Sequence, residues 1–531
     1  MKREQLLAPE QYNITQEFES YAADPQKVAI RWLNDKGDKR EITYQELLKQ
    51  ANRLANALVK QGLQKGDKVL VMLPRIPEAY VTYIACLKAG LVVIPSSEML
   101  RAKDLSYRIN HGEAKAVIAY QACVPEFEKI EEPLPSLQYQ FVVGEAQSSW
   151  LAIDTLVENE SDYFETVPTH RDDMAFLSYT SGTTGNPKGV VHVHGWGYVH
   201  LQVAAKQWLD IKENDVVWAT AGPGWAKWVW SPFLSVLGLG ATAVVYHGPF
   251  DPARYLSIME EYQVNVLCCT PTEYRLMAKV DGLERYSLTH LRSAVSAGEP
   301  LNREVIDTFR RYFNVDVRDG YGQTENTLLV GTLKGMEIKP GSMGKPTPGN
   351  RVEIINEDGE PVGVGEVGDI AVHRDTPALF KEYYKDPERT KAAYRGEYYL
   401  TGDQARKDED GYFWFEGRSD DIIISSGYTI GPFEVEDALV KHPAVRECAV
   451  VASPDELRGH VVKAFVVLKN PEEAKDPTLV ERLQEHVKSL TAPYKYPRKI
   501  EFVDSLPKTT SGKIRRVELR QREKERFAAH S

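Results

Sequence analysis

Short apolar runs alternate with stretches of three- and four-residue apolar spacing through roughly the first 400 residues. The short runs, bounded by Gly, Pro, Asn or Asp, predict strands, and the longer spacing predicts helices. Lys68 to Met72 predicts a strand, residues 79–88 a helix, and residues 91–95 a second strand. Further strands are predicted at 116–119, 141–143, 176–179, 242–246, 264–268 and 293–296. Leu301, Val305, Ile306, Phe309 and Phe313 share one helical face behind a glycine-proline entry at Gly298 and Pro300. Strands separated by helical stretches build βαβ units, so parallel sheets covered by helices on both faces are expected.

The pattern changes near Arg351. From there to about Trp414, short alternating runs are broken by turns at Glu357-Asp358-Gly359 and Asp410-Gly411, which predicts a small β-rich unit. Beyond Gly417-Arg418-Ser419-Asp420-Asp421 the chain reads as a separate α+β unit. There Pro432 opens a helix, 448–452 and 461–468 are strands, and Val480, Leu483, Val487 and Leu490 mark a second helix. The expected fold is α/β. A large N-terminal domain, residues 1–419, holds two doubly wound β/α subdomains and a small β-barrel-like subdomain. A small, mobile α+β C-terminal domain follows, residues 420–531. No internal repeat or low-complexity tract interrupts this order.

Composition narrows the class. A chain of 531 residues with 42% apolar content can bury a core, which excludes disorder over most of its length. The 65 Lys and Arg against 76 Asp and Glu leave a net charge of −11, which argues against a nucleic-acid or anionic-membrane binder. The five cysteines have no CxxC spacing and read as reduced thiols. The N-terminal MKREQLLAPEQY lacks the apolar centre of a signal peptide, and no window approaches the roughly 18 apolar residues of a spanning helix. The expectation is a cytoplasmic protein without membrane insertion; a homo-oligomer is compatible with it.

The strongest chemical signal is Thr180-Ser181-Gly182-Thr183-Thr184-Gly185-Asn186-Pro187-Lys188-Gly189, directly behind a predicted strand. Glycines, four hydroxyl side chains and a lysine supply what a polyphosphate requires: close main-chain N–H groups, hydroxyl donors and a cation. The loop is not a Walker A motif, because Pro187 and Gly189 flank Lys188 where that motif has glycine and then Ser or Thr. It resembles the phosphate-binding signature of the adenylate-forming superfamily, which includes acyl-CoA synthetases, aryl-CoA ligases, luciferases and peptide-synthetase adenylation domains. Five more segments follow in that family's order. They are Ala297-Gly298-Glu299-Pro300, Asp319-Gly320-Tyr321-Gly322-Gln323-Thr324-Glu325, Tyr399-Leu400-Thr401-Gly402-Asp403, Gly417-Arg418-Ser419-Asp420-Asp421 and Leu506-Pro507-Lys508-Thr509-Thr510-Ser511-Gly512-Lys513. The likeness runs from about residue 25 to 520. The phrases SSGY, TAPYKYPRKIEF and LPKTTSGKI look most like medium-chain acyl-CoA synthetases.

The resemblance implies an ATP-dependent ligase that activates a small carboxylic acid as acyl-AMP and passes it to CoA, with ATP, Mg²⁺ and CoA as cofactor or co-substrate. Nucleotide contacts would come from the loop residues Thr180 to Gly185 and Lys188. Gly298, Glu299 and Pro300 would lie beside the adenine, and Asp319, Gly320, Tyr321, Gly322, Gln323 and Thr324 would follow. The chemistry of each segment agrees. Asp403 can accept from two vicinal hydroxyls, as a ribose presents. Tyr321 can stack on a purine, Thr324 can bond the α-phosphate, and Glu325 can hold Mg²⁺ with phosphate oxygens. Arg418 adds a cation near the phosphates. Lys513 can bridge the attacking carboxylate and the α-phosphate, which lowers a barrier between two anions. Catalytic roles therefore fall to Lys513, Lys188, Thr324 and Glu325. Asp420 resembles the hinge about which the C-terminal domain turns after adenylate formation. Ser426, Gly427 and Tyr428 would then face the pantetheine arm, and Arg458, Tyr496 and Arg498 resemble positions that hold the CoA nucleotide.

Three features modulate this expectation. Thr429 stands where the family usually has arginine. His192 and His194 are two apart on a predicted strand without a third ligand at metal spacing, so they read as a structural pair. Gly322 replaces the tryptophan that short-chain acetyl-CoA synthetases place before Gln-Thr-Glu, and Trp225 resembles the aromatic lining the tunnel between acyl and thiol sites. With Lys227 and Trp228 close by, the acid is expected to be of medium length or branched. Two rival readings are an enzyme that loads the acyl group onto a carrier-protein thiol and a non-catalytic AMP or acyl-CoA sensor.

Overall fold

The computed structural model of the chain describes residues 1–147, 149–181, 186–299, 301, 303–508 and 514–531. In the first sheet, Met174–Thr180, Val92–Pro95, Lys68–Met72, Ala114–Tyr120 and Tyr139–Val143 lie side by side and parallel. In the second, Val28–Asn34, Thr242–His247, Val216–Ala219, Val266–Cys269, Ser293–Ala297 and Val317–Tyr321 do the same.

Neither sheet is wholly parallel, which corrects the simplest expectation. Lys188–Val193 returns antiparallel beside Met174–Thr180, and Glu382–Tyr383 adds to it in turn. The connection between those two long strands is too short for a crossover helix, so only an antiparallel return is open to it. The second sheet gains antiparallel edges from Lys39–Thr43 and Val330–Gly331. The hairpin Val28–Asn34 with Lys39–Thr43 was not predicted. Lys39, Arg40 and Glu41 are exposed on its outer strand, and charges of this kind blunt a sheet edge while erasing its apolar signal.

The largest apolar cluster lies between the two sheets. It takes in one face of the helix Tyr44–Gln61, which Thr43 caps by accepting the Glu46 N–H and which stops at Gly62 with φ 119°. It also takes in Pro77–Lys88, nearly all of it buried, whose Tyr83 packs edge-on to Trp228 at 4.7 Å. A third layer, the antiparallel strands Val352–Ile355, Gly368–His373, Tyr398–Lys407 and Phe413–Arg418, forms the small β unit. The last unit pairs Val445–Asp455 antiparallel with Gly459–Leu468, which pairs parallel with Lys499–Phe502 on its other side. Pro432–Val440 and Leu479–Leu490 cover one face of that sheet, and Arg516–Ala529 covers the other. A short hairpin, Ile423–Ser425 with Tyr428–Ile430, leads into this unit. Its turn residues Ser426 (φ 49°) and Gly427 (φ 82°) both have positive φ, the requirement of the tight turns that suit strand twist.

Candidate active site

A cavity of about 1050 Å³ opens between the two sheets, the β unit and the C-terminal unit. Parallel strands of both sheets end on it. Ser97, Thr180 and Ser181 close the strands of the first sheet, and Thr220, Thr270, Gly298 and Gly322 those of the second. Ligands of open α/β sheets gather at the carboxyl ends of the strands, and here two sheets aim those ends at one space.

One wall is a network of buried charges. The Asp403 carboxylate accepts from the Tyr321 hydroxyl at 2.5 Å and from the Arg418 guanidinium at 2.8 Å. Arg418 also holds Asp420 with two nitrogens, at 3.0 and 2.6 Å. Burial raises the Asp403 carboxyl above its ordinary value, with Arg418 and Tyr321 opposing. Two carboxylate oxygens offer about four acceptor sites, so capacity remains for hydroxyls of a ligand.

Glu325 lies deeper in the same wall. It accepts from the Tyr383 hydroxyl at 2.7 Å and stands 3.6 Å from the Lys188 ammonium. Burial works to raise its carboxyl, but Lys188 and Tyr383 outweigh that and hold it below the usual carboxylate range. Gln323 donates to the Thr401 carbonyl at 2.6 Å, and the Thr324 carbonyl accepts from His192 at 2.5 Å. Tyr383 is a site residue that sequence reasoning missed. It lies 58 residues from Glu325 with no motif around it, and only the strand pairing of Tyr383 with Val190 brings it there.

Not every predicted nucleotide contact reaches the cavity. Asp319 is turned under its strand, where its carboxylate accepts from the Gly320 and Leu301 N–H groups, and burial raises it to about 7. Gly320 packs on Trp208, whose ring would stand 2.4 Å from an added Cβ. Glu299 faces the C-terminal unit, its carboxylate against Gly459. Gly182, Thr183, Thr184, Gly185, Pro300 and Lys513 lie outside the described residues.

The opposite wall joins the large unit to the C-terminal one. The turn Ser426-Gly427 enters the cavity beside Gly298, where a Cβ would stand 3.2 Å from the Gly427 Cα. Thr272 donates to the Ser426 hydroxyl at 3.2 Å. Trp225 packs between Tyr428 at 5.0 Å and Tyr494 at 5.1 Å, and those two rings stack at 4.4 Å. Gly224 seats Trp225: its φ is 97°, and an added Cβ would meet the Ser97 nitrogen at 2.3 Å. Among the described residues the Arg275 Nε has no hydrogen-bond partner, and Arg275 and Glu299 come within 3.8 Å. Burial raises the Glu299 carboxyl to about 8.

Arg458, Tyr496 and Arg498 lie outside the cavity but close to one another. The Arg498 guanidinium covers the Tyr496 ring at 5.0 Å, with the Lys488 ammonium at 4.3 Å from the same ring. Burial and then Arg458 lower the Arg498 guanidinium. Thr429 is exposed and lines the cavity, a neutral side chain at the position where arginine is usual in the family.

Two sequence arguments change. Gly322 lines the cavity, yet an added Cβ would meet the Thr327 carbonyl oxygen at 2.3 Å. The glycine is demanded by this backbone as well as by any acyl group. His192 and His194 do not form a pair on one strand: His194 opens the helix His194–His200 and accepts from the Ile14 N–H at 3.2 Å, while His192 bonds Thr324. Burial lowers both to about 4. Among the described residues no group of three His, Cys, Asp or Glu side chains stands ready for a metal.

Comparison with known proteins adds the family. The sequence model of the AMP-binding enzyme matches residues 18–384, and that of the AMP-binding enzyme C-terminal domain matches 434–513. The uncharacterized acyl-CoA ligase YtcI of Bacillus subtilis is 63% identical over 527 residues, 99% of this chain and 98% of that protein. The mitochondrial acyl-coenzyme A synthetase ACSM3 of Mus musculus is 42% identical over 502 residues, 93% of this chain and 86% of that protein. The crystal structure of the Brucella canis acyl-CoA synthetase superposes with a TM-score of 0.73 at 34% identity, covering 98% of this chain and 96% of that one.

Proposed function

This chain belongs to the AMP-binding enzyme family, and from that membership we propose how its cavity works. The enzyme is an acyl-CoA ligase that takes ATP, CoA and a carboxylic acid as substrates. A carboxylate oxygen bonds the α-phosphorus of ATP while the bond to the β-phosphate oxygen breaks and pyrophosphate leaves. The CoA thiol then attacks the mixed-anhydride carbonyl and AMP leaves.

The observation that carries the reading is the union, in one cavity, of the Asp403–Tyr321–Arg418 network with the Ser426-Gly427 turn and Trp225. Asp403 accepts from the ribose hydroxyls, and Thr180, Ser181 and Lys188 meet the phosphates. Thr324 orients the α-phosphate. Glu325 is the residue that would hold Mg²⁺. It stays ionised, and one anionic oxygen donor suits a hard cation that takes its remaining ligands from phosphate and water. When bound, Mg²⁺ offsets phosphate charge. Lys513 draws the carboxylate and the α-phosphate together in the first half-reaction.

Residues 1–419 act as the adenylating body, and residues 420–531 turn about Asp420 between the two half-reactions. The pantetheine arm runs past Trp225, Tyr428 and Gly427, and Arg458, Tyr496 and Arg498 meet the CoA nucleotide. The five cysteines are free thiols, which supports a reducing compartment, the cytoplasm. No described helix is long and apolar enough to cross a membrane.

The acid is aliphatic, of medium length or branched. Trp225 and Gly322 bound the acyl end of the cavity, and the Lys227 ammonium, donating to the Ala297 carbonyl at 2.6 Å, limits its depth. Each methylene buried there adds about 0.8 kcal/mol until the pocket ends. The test is kcat/KM for acetate, isobutyrate, hexanoate, octanoate and benzoate with ATP and CoA. Isobutyrate or hexanoate should lead; acetate or benzoate leading overturns the assignment of the acid.

A further inference from the structure

Behind the wall that carries Glu325 lies a second chamber, of about 140 Å³. Tyr107, Lys188, Tyr383 and Arg389 line both spaces, so these side chains and the main chain at Asn186-Pro187 stand between them. Among the described residues the chamber wall holds two basic side chains, Lys188 and Arg389, and one carboxylate, Asp386. That carboxylate is already engaged: it accepts from the Arg389 main-chain N–H at 3.1 Å and pairs with the Arg389 Nε at 3.3 Å. Lys188 is shared with Glu325 at 3.6 Å. Aromatic rings enclose the rest. His111 stacks on Tyr107 at 5.1 Å and bonds the Tyr179 hydroxyl at 2.8 Å, and Tyr384 packs edge-on to it at 5.8 Å. The Lys68 ammonium stands 4.8 Å from the Tyr384 ring centre, with no carboxylate within 4 Å among the described residues. Burial, followed by the nearby Lys385 charge, keeps His111 below its ordinary value.

We propose that this chamber receives the pyrophosphate released in the first half-reaction, with Arg389 taking it over from Lys188. The proposal rests on the ligase reading above. In an in-line displacement the leaving group departs opposite the attacking oxygen. The proposed acyl end of the cavity lies at Trp225 and Gly322, on loops of the second sheet, whereas Lys188 and Arg389 stand against the first. Breakage of the bond from the α-phosphorus leaves both electrons on pyrophosphate, and the growing negative charge is drawn to the side where cations are concentrated. The chamber is too small for a nucleoside, and its Lys188 and Arg389 lining suits a compact dianionic or trianionic group over an acyl chain. A guanidinium meets such a group with two parallel N–H bonds, which a lysine cannot.

The test is acid-dependent exchange of labelled pyrophosphate into ATP by the intact enzyme, with Arg389→Gln and Arg389→Lys beside the unaltered chain. For Arg389→Gln the pyrophosphate concentration giving half-maximal exchange should rise at least tenfold, with product inhibition by pyrophosphate weakened in parallel. Arg389→Lys should recover part of that loss. KM for ATP and the conversion of supplied acyl-AMP to acyl-CoA should change less than twofold, which a folding defect would not spare. A half-saturating pyrophosphate concentration within twofold of the unaltered enzyme overturns the proposal. So does a matching rise in KM for ATP, which would place Arg389 in the ATP site instead. Absence of exchange in the unaltered enzyme overturns the ligase reading itself. Calorimetric titration of the free enzyme and Arg389→Gln with inorganic pyrophosphate then decides the chamber separately: equal affinities overturn it.

Discussion

On the wall that carries Asp403 and Glu325, each buried carboxylate has a hydroxyl and a cation within reach: Tyr321 and Arg418 for the first, Tyr383 and Lys188 for the second. Across the cavity, where the Ser426-Gly427 turn meets Gly298, the contacts are rings, glycine backbones, a hydroxyl pair, the Arg275 guanidinium donating to the Leu457 carbonyl and a Lys103–Glu434 ion pair at 3.1 Å. The first wall is built for charges that must be oriented before reaction, because such donors cost no reorganisation when the transition state forms. The second is built from contacts that separate without stranding a buried ion pair. Under the proposed turn about Asp420 this surface is made and unmade in each cycle, which contacts that part without isolating one member of a buried pair allow, since such isolation costs about 3–5 kcal/mol.

The largest effect should come from Lys513→Ala. Acid-dependent pyrophosphate release should fall by about a hundredfold or more, while supplied acyl-AMP is still converted to acyl-CoA at close to the normal rate. Equal losses in both half-reactions would remove the assigned role. Asp403→Asn should rank next. It removes a charge between Arg418 and Tyr321, and loss of one partner from a buried pair lowers stability by about 3 kcal/mol. KM for ATP should rise at least tenfold and the thermal midpoint should fall by several degrees, read by pyrophosphate release and calorimetry. An unchanged midpoint would mean that this wall is not held by its charges.

Much of the contrast between the walls was legible in the chain. The strand-loop segments ending at Thr180, Tyr321 and Asp403 name the charged wall because their chemistry is local: glycines, hydroxyls and carboxylates stand within a few residues of one another. What depended on long-range pairing was hidden. Tyr383 reaches Glu325 only through a two-residue strand added to Val190 and Val191. The N-terminal hairpin joins the second sheet beside Thr242–His247, more than 200 residues away, and carries no apolar alternation on its outer strand. The motif of Glu299 points to the adenine and says nothing of Gly459, whose approach from the C-terminal unit sets it against the Glu299 carboxylate. Arg458 and Arg498 are expected together from the resemblance, and burial first and the Arg458 charge second lower the Arg498 guanidinium.

The thiol wall should break under smaller changes. Gly427→Ala places a Cβ at φ 82°, a conformation that costs a non-glycine residue about 1–2 kcal/mol. Nothing crowds that Cβ closer than Thr270 at 3.7 Å, so the loss should be conformational and not steric. Conversion of supplied acyl-AMP to acyl-CoA should slow by about tenfold, with acid-dependent pyrophosphate release unchanged within twofold. A deficit in pyrophosphate release of the same size would show that the turn serves both half-reactions.

The smallest and most specific effect concerns pH. Burial raises the Glu299 carboxyl to about 8 against the opposing Arg275 and Lys227 charges, whereas a carboxyl freed by separation of the two units returns to about 4.3. Between those values the joined arrangement binds a proton that the separated one has lost. Stability of the contact therefore falls as pH rises through this window, and the loss is complete above pH 8. Glu299→Gln keeps the neutral shape and removes the titration. The ratio of unaltered enzyme to variant, measured as conversion of supplied acyl-AMP to acyl-CoA, should fall severalfold between about pH 6 and 8.5. Ionisation of the CoA thiol is common to both enzymes and cancels in the ratio. A ratio that stays flat would mean that Glu299 keeps the same environment in both arrangements, and the contact at Gly459 would then persist through the whole cycle.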